Sequence, residues 1–186
     1  MIHLIPGYYP NPKPMFFSKF MTMCGLTGIF SPFTIEANYN KDMPLYNIPF
    51  TMSHELSHLK GYMQEDEANF IAYMACVKAN DPYVNYSGYL NAFVYVTNAL
   101  YASGENVEAY YQRLPEKAMN DLQENQAFWN QYSETLSNIT SSINDTYLKI
   151  NDVSEGVKSY SLFVTLLYSY YQTYHEITFQ HLTSIE

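Results

Sequence analysis

From Pro49 onward the apolar positions recur every three or four residues, the spacing that gives a helix one buried stripe. The stretch "IPFTMSHELSHLK" has a proline and Thr/Ser where a helix should begin and Gly61 where it should stop, and Met52, Leu56 and Leu59 form its apolar face. "EDEANFIAYMACVKAN" opens with acids that suit the positive end of a helix dipole and closes before Asp81-Pro82. Further helices are predicted over "YSGYLNAFVYVTNALYASG", ended by Gly104, over the short "VEAYYQRL", over a long polar run from Pro115 to Lys149, and from about Val157 to Thr178. Only the N-terminal part departs from this period. "LTGIFSPFTIEANYN", residues 26–40, is rich in Thr, Ile and Phe between turn residues, which predicts one or two strands. "MFFSKFMTMCG" before it reads as a short helix stopping near Gly25, and residues 1–14, with four prolines, as an extended or irregular lead-in. Asn80–Pro82 and Asn151–Gly156 read as short loops, so residues 1–186 are expected to form a single domain. The fold class is α+β, mostly α, with a small sheet or hairpin near the N-terminus packed on a central helix and a helical C-terminal part.

Composition narrows the function more than the fold. A chain of 186 residues can bury a sufficient core without staples. Nine basic residues against 18 acidic ones give a net charge of -9, which repels phosphate backbones and argues against nucleic-acid binding. The best apolar run, "YSLFVTLLYSYY", is short of the roughly 20 residues a membrane helix needs, so the chain itself is expected to be soluble. Cys24 and Cys76 leave a disulfide open, but "MAC" sits in an apolar helical run where a free buried thiol is the commoner case.

The chemistry concentrates in "SHELSHLKGYMQEDEANF". Residues four apart on a helix share a face, so His54 and His58 can present two ring nitrogens to one ion, and Glu55, about 100° round the helix, can reach a water there as general base. This H-E-x-x-H pattern arises in roughly one shuffled sequence of this composition in a hundred, so its surroundings matter. Gly61 permits a sharp turn, after which Glu65 and Glu67 open the next helix. Asn69 falls on the face of Glu65, where it can orient a ligand from behind, while Glu67 points about 200° away. Helix periodicity therefore favours Glu65 as third ligand, with Glu67 the alternative. A tyrosine is expected to stabilise the developing oxyanion, Tyr86, Tyr89 and Tyr160 being candidates and Tyr160 the one chosen. His3, His175 and His181 have no assigned role. Solvated histidines on a plain helical domain are the competing explanation for the pattern.

These residues resemble a zincin, and more narrowly the gluzincin group, in which H-E-x-x-H is joined by a glutamate of E-x-x-x-D on a following helix. Here that second motif is Glu65-Asp66-Glu67-Ala68-Asn69, with Asn69 in place of the aspartate and a shorter spacing from His58 than is usual. The stretches "PKPMFFSKFMTMCGLTGIFSPFTIEANYN", "PFTMSHELSHLKGYMQEDEANFIAYMAC", "YSGYL" and "GVKSYSLFVTLL" are similar to an uncharacterised bacterial family with N-terminal membrane-spanning segments and an extracytoplasmic zincin-like domain. The resemblance implies a zinc metallopeptidase acting on peptide or protein substrates, its Zn2+ held by His54, His58 and Glu65, its base Glu55. It also implies that this chain is the soluble part of a membrane-tethered protein on the extracytoplasmic face. By the zincin plan, "GIFSPFTIEAN" offers the strand edge that pairs with substrate backbone. An inactive zincin-like sensory or interaction module is the alternative implied function.

Overall fold

The computed structural model describes residues 9–132 and 162–174. Strands β1 (Lys13–Pro14), β2 (Gly28–Ser31) and β3 (Glu36–Tyr39) form one sheet in the order β1-β3-β2. Helices α1 (Ser18–Met23), α2 (Asn47–Leu59), α3 (Glu65–Val77), α4 (Pro82–Ala102), α5 (Glu108–Tyr111) and α6 (Glu116–Asn130) follow the chain. Residues 162–174 form a further helix, α7. The chain is mostly helical with a small sheet, as the sequence pattern predicts.

β2 and β3 pair antiparallel, Gly28 opposite Tyr39 and Ser31 opposite Glu36. The hairpin tip carries two exposed apolar residues, Phe33 and Ile35, and Ile35 sits at φ +52°, a left-handed conformation costly for a β-branched side chain. The lead-in contributes more than an irregular entry. Lys13 and Pro14 pair in parallel with Asn38 and Tyr39, and Met15 N–H donates to Tyr39 O at 2.9 Å. A strand containing proline is tolerated there because β1 is an edge.

α2 lies under the sheet, packed on α3 and α4. Its first turn begins at Asn47, two residues before the proline that marks it in the sequence. Ser87 on α4 explains the earlier start. Its hydroxyl accepts from Phe50 N–H at 3.1 Å and donates to Tyr46 O, so the buried helix end is satisfied from a neighbouring helix. α4 likewise starts earlier than its apolar run: Asp81 accepts from Tyr83 N–H and Val84 N–H, and Pro82 takes the first helical position. Phe50, Ala72, Tyr73, Cys76, Ala92, Phe163 and Leu167 knit α2, α3, α4 and α7 into the main core. Cys76 and Cys24 are both free thiols, and Cys76 is fully buried with its Sγ 3.7 Å from Ser53 Oγ. Among the described residues no helix is long and apolar enough to cross a membrane. The part of the predicted fifth helix beyond residue 132 lies outside the described residues.

Candidate functional site

The second half of α2 and the first turn of α3 meet across a five-residue connection, residues 60–64. Gly61, at φ +93°, makes the reversal, a conformation open to glycine without strain. Tyr62 N–H donates to Ser57 O at 3.2 Å, closing the end of α2. Tyr62 also turns its carbonyl oxygen to His58 Nδ1 at 2.7 Å. A carbonyl only accepts, so Nδ1 carries the proton, and a neutral His58 ring has its lone pair on Nε2.

That lone pair is aimed at a second imidazole. His54 Nε2 and His58 Nε2 lie 2.9 Å apart, with the ring planes nearly perpendicular. Glu65 closes the group, its Oε2 3.1 Å from His54 Nε2 and its Oε1 3.6 Å from His58 Nε2. Two imidazole nitrogens at this separation need a proton or a cation between them, because facing lone pairs repel. His54, His58 and Glu65 are the group of potential ligands found among the described residues. Of the two glutamates weighed as third ligand, Glu65 reaches the imidazoles, whereas Glu67 is exposed.

Charge follows this geometry. The two imidazoles hold the Glu65 carboxyl well below the usual carboxylate range, and the Glu65 contact pushes His58 upward against the opposing effect of burial. Glu55 behaves in the opposite way. It is 5% exposed, and burial pushes its carboxyl up to about 7, with His54 and His58 opposing the rise. Glu55 faces β2: a Cβ placed on Gly28 would lie 2.3 Å from Glu55 Oε1, so only glycine lets the strand pass this close. Gly28, Phe30, Glu55, His58 and Met63 contribute to an open cleft of about 410 Å³ where the strand edge, the glutamate and the imidazoles meet.

A second cavity, about 280 Å³, lies on another side of His54 and Glu65. Asn69 lines it, 7% exposed and one turn along α3 from Glu65. The sequence suggests Asn69 as the group that orients a ligand, but His54 Nδ1 is buried with no hydrogen-bond partner, so no such bond is made.

Compared with models of known families, residues 2–168 match the family described as Protein of unknown function (DUF3810). The chain belongs to this family. No curated protein and no solved structure matches it.

Tyr160 lies outside the described residues. Tyr86 donates to Asp121 with Lys117 over its ring, and Tyr89 is 55% exposed beside Tyr73. Neither lines the two cavities at the cluster; among the described residues the tyrosine that does is Tyr95 on α4. Sequence reasoning also passed over Gly28, Asn91, Asn125 and Trp129. Asn91 left a faint signal, a lone carboxamide within the apolar "YLNAFVYV", while Asn125 and Trp129 sit in a helix whose polar residues look alike in one dimension.

Proposed function

We propose that the chain is a zinc-dependent peptidase domain of zincin-like build, with His54, His58 and Glu65 as metal ligands and Glu55 as general base. The observation that carries this reading is the convergence of two Nε2 atoms and one carboxylate beside a buried glutamate and an open cleft. In a tetrahedral zinc site with bonds of 2.0–2.1 Å, donor atoms lie about 3.3 Å apart. The three separations here, 2.9, 3.1 and 3.6 Å, bracket that value. Three protein donors, the number found among the described residues, are the complement of a catalytic site.

Zinc at this position would lower the pKa of a coordinated water to about 7 and polarise a carbonyl oxygen. Glu55, raised to about 7 by burial, takes a proton from the attacking water near neutral pH and returns it to the leaving nitrogen. His58 is fixed for ligation by its bond to Tyr62 O, which selects the tautomer with Nε2 free. β2 is paired on one side only among the described residues, so its outer edge can hydrogen-bond an extended peptide and lay the chain across Glu55. The resemblance to a membrane-anchored family adds an extracytoplasmic location to the proposal, with a tether outside this chain. Protease accessibility of the domain in intact spheroplasts tests that part.

The decisive experiment combines elemental analysis with turnover of an unstructured protein. About one equivalent of zinc, with hydrolysis lost in Glu55→Gln, is the expected result. Less than about a tenth of an equivalent after reconstitution removes the metal centre. Full zinc with no hydrolysis by the wild type leaves the inactive sensory or interaction module.

A further inference from the structure

The cavity on the far side of His54 and Glu65 differs in character from the cleft under β2. It is walled by carboxamides and aromatic rings, and neither lysine nor arginine lines it. Asn125 Oδ1 already accepts from Asn47 Nδ2 at 2.8 Å and from Trp129 Nε1 at 3.0 Å, which leaves its amide donor uncommitted among the described residues. Asn91 donates to Ser87 O at 2.9 Å, which leaves its carbonyl oxygen as an acceptor. Asn69 is more than nine-tenths buried, yet its carboxamide still opens onto the cavity, where it makes no side-chain hydrogen bond with another described residue.

A carboxamide on such a wall gives up its hydration to whatever fills the space, and an occupant that cannot bond it costs free energy. The walls select that something. An acidic group would lose its hydration beside the Glu65 carboxylate with neither lysine nor arginine on the walls to pair it, and a purely apolar group would strand Asn69. A basic group would lose its hydration in a chamber whose one carboxylate is already engaged by two imidazoles. A neutral side chain with both donor and acceptor capacity satisfies the chamber, and 280 Å³ accommodates one such side chain.

Resting on the peptidase reading above, we infer that this chamber is the specificity pocket of the site. It receives a neutral carboxamide or hydroxyl side chain (Asn, Gln, Ser or Thr) at one fixed position flanking the scissile bond. Asn69 is its main selecting residue, with Asn91 and Asn125 completing the hydrogen bonds and Phe50 and Trp129 supplying the apolar walls. Trp129 and Asn125 also border a wider cleft of about 1050 Å³ between α4, α5 and α6, the direction in which a longer substrate would continue.

The test is cleavage profiling of a mixed peptide library by the zinc-loaded chain, followed by kcat/KM on matched peptides that differ at the selected position alone. Wild type is expected to prefer Asn, Gln, Ser or Thr over Leu by about ten to a hundredfold, the usual penalty for leaving a buried polar group unpaired. Asn69→Leu should invert that order toward Leu and Met. Asn69→Asp, nearly the same shape and so a control for folding, should shift it toward Lys and Arg, with zinc content unchanged in both. Cleavage with no preference at any position, or a preference that both variants leave intact, overturns the pocket assignment while the peptidase stands. No cleavage of any peptide by zinc-loaded wild type overturns the pocket and the peptidase together.

Discussion

Glu55 and Glu65 are carboxylates ten positions apart in the chain, and their surroundings drive them in opposite directions. Glu65 faces two imidazoles and is held ionised, whereas Glu55 is buried under Gly28 and is raised to about 7. Removing the Glu55 carboxylate while keeping its shape separates the two roles. Glu55→Gln should retain zinc, by elemental analysis, and lose about 10²–10⁴-fold in hydrolysis. Turnover equal to wild type would assign the activity elsewhere. The same two groups and His58 set a pH signature. In the metal-free chain Glu55 is protonated in the fold but ionised when unfolded between its ordinary 4.5 and about 7, so stability falls as pH rises through that window. His58 adds in the same sense, since pairing with Glu65 stabilises the fold below the ordinary 6.5 and is lost as pH rises through the raised value. Glu65 acts only in acid, where its stabilisation is lost as pH falls below 4.5 through its depressed value. Zinc bound as proposed would reverse the trend near neutrality, because binding releases protons. Thermal melts between about pH 5.5 and 8 should therefore decline in chelator-treated protein and rise in zinc-loaded protein. Parallel slopes in the two would argue that the imidazoles do not hold metal.

At the scale of elements, the approach of β2 to α2 fixes where Glu55 sits in the cleft. Gly28→Ala adds a Cβ that would collide with Glu55 Oε1, Cγ and Cδ, all under 3.0 Å, and Glu55 is too buried to swing clear. A loss of about 1–3 kcal/mol in stability is expected from overpacking, with hydrolysis reduced and zinc retained. Denaturant unfolding beside elemental analysis checks it; an unperturbed variant would mean that strand and helix separate easily. Legibility in the sequence also divides by element. The α2–α3 pair could be read because its signals are local: glycine at the reversal, acids in the first turn, apolar residues four apart. β1 could not, since two residues, one of them Pro14, become a strand only through Tyr39, 25 positions later. The start of α2 at Asn47 escaped for the same reason, its support being Ser87 on another helix.

For the whole molecule, the cavities assemble side chains that are near one another only after folding. Asn47 and Asn125 are 78 positions apart yet hydrogen-bonded, and nothing in either segment announces the other. The His-Glu-x-x-His pattern was visible and the walls around it were not. With 20 tyrosines, choosing an oxyanion donor from the chain alone had little to work with, and Tyr86 turned instead to Asp121. An ion bound by the native state should stabilise the entire domain. At free zinc a hundredfold above its dissociation constant the gain is about 2.7 kcal/mol, or roughly 5–10 °C in melting temperature for a chain of this length. His54→Ala should forfeit both the metal and that increment, read by calorimetry with and without zinc. An unchanged melting temperature in the variant would count against the site.

Every donor of the cluster lies between His54 and Glu65, twelve consecutive residues joined by one glycine reversal. Nothing distant must dock before those three side chains can meet, so the nascent α2–α3 pair would be able to capture an ion while the later helices are still being synthesised. The strands, made first, would by then already have left the ribosome, and the late event in maturation would be the packing of α4 and α6 against a preassembled ion pocket.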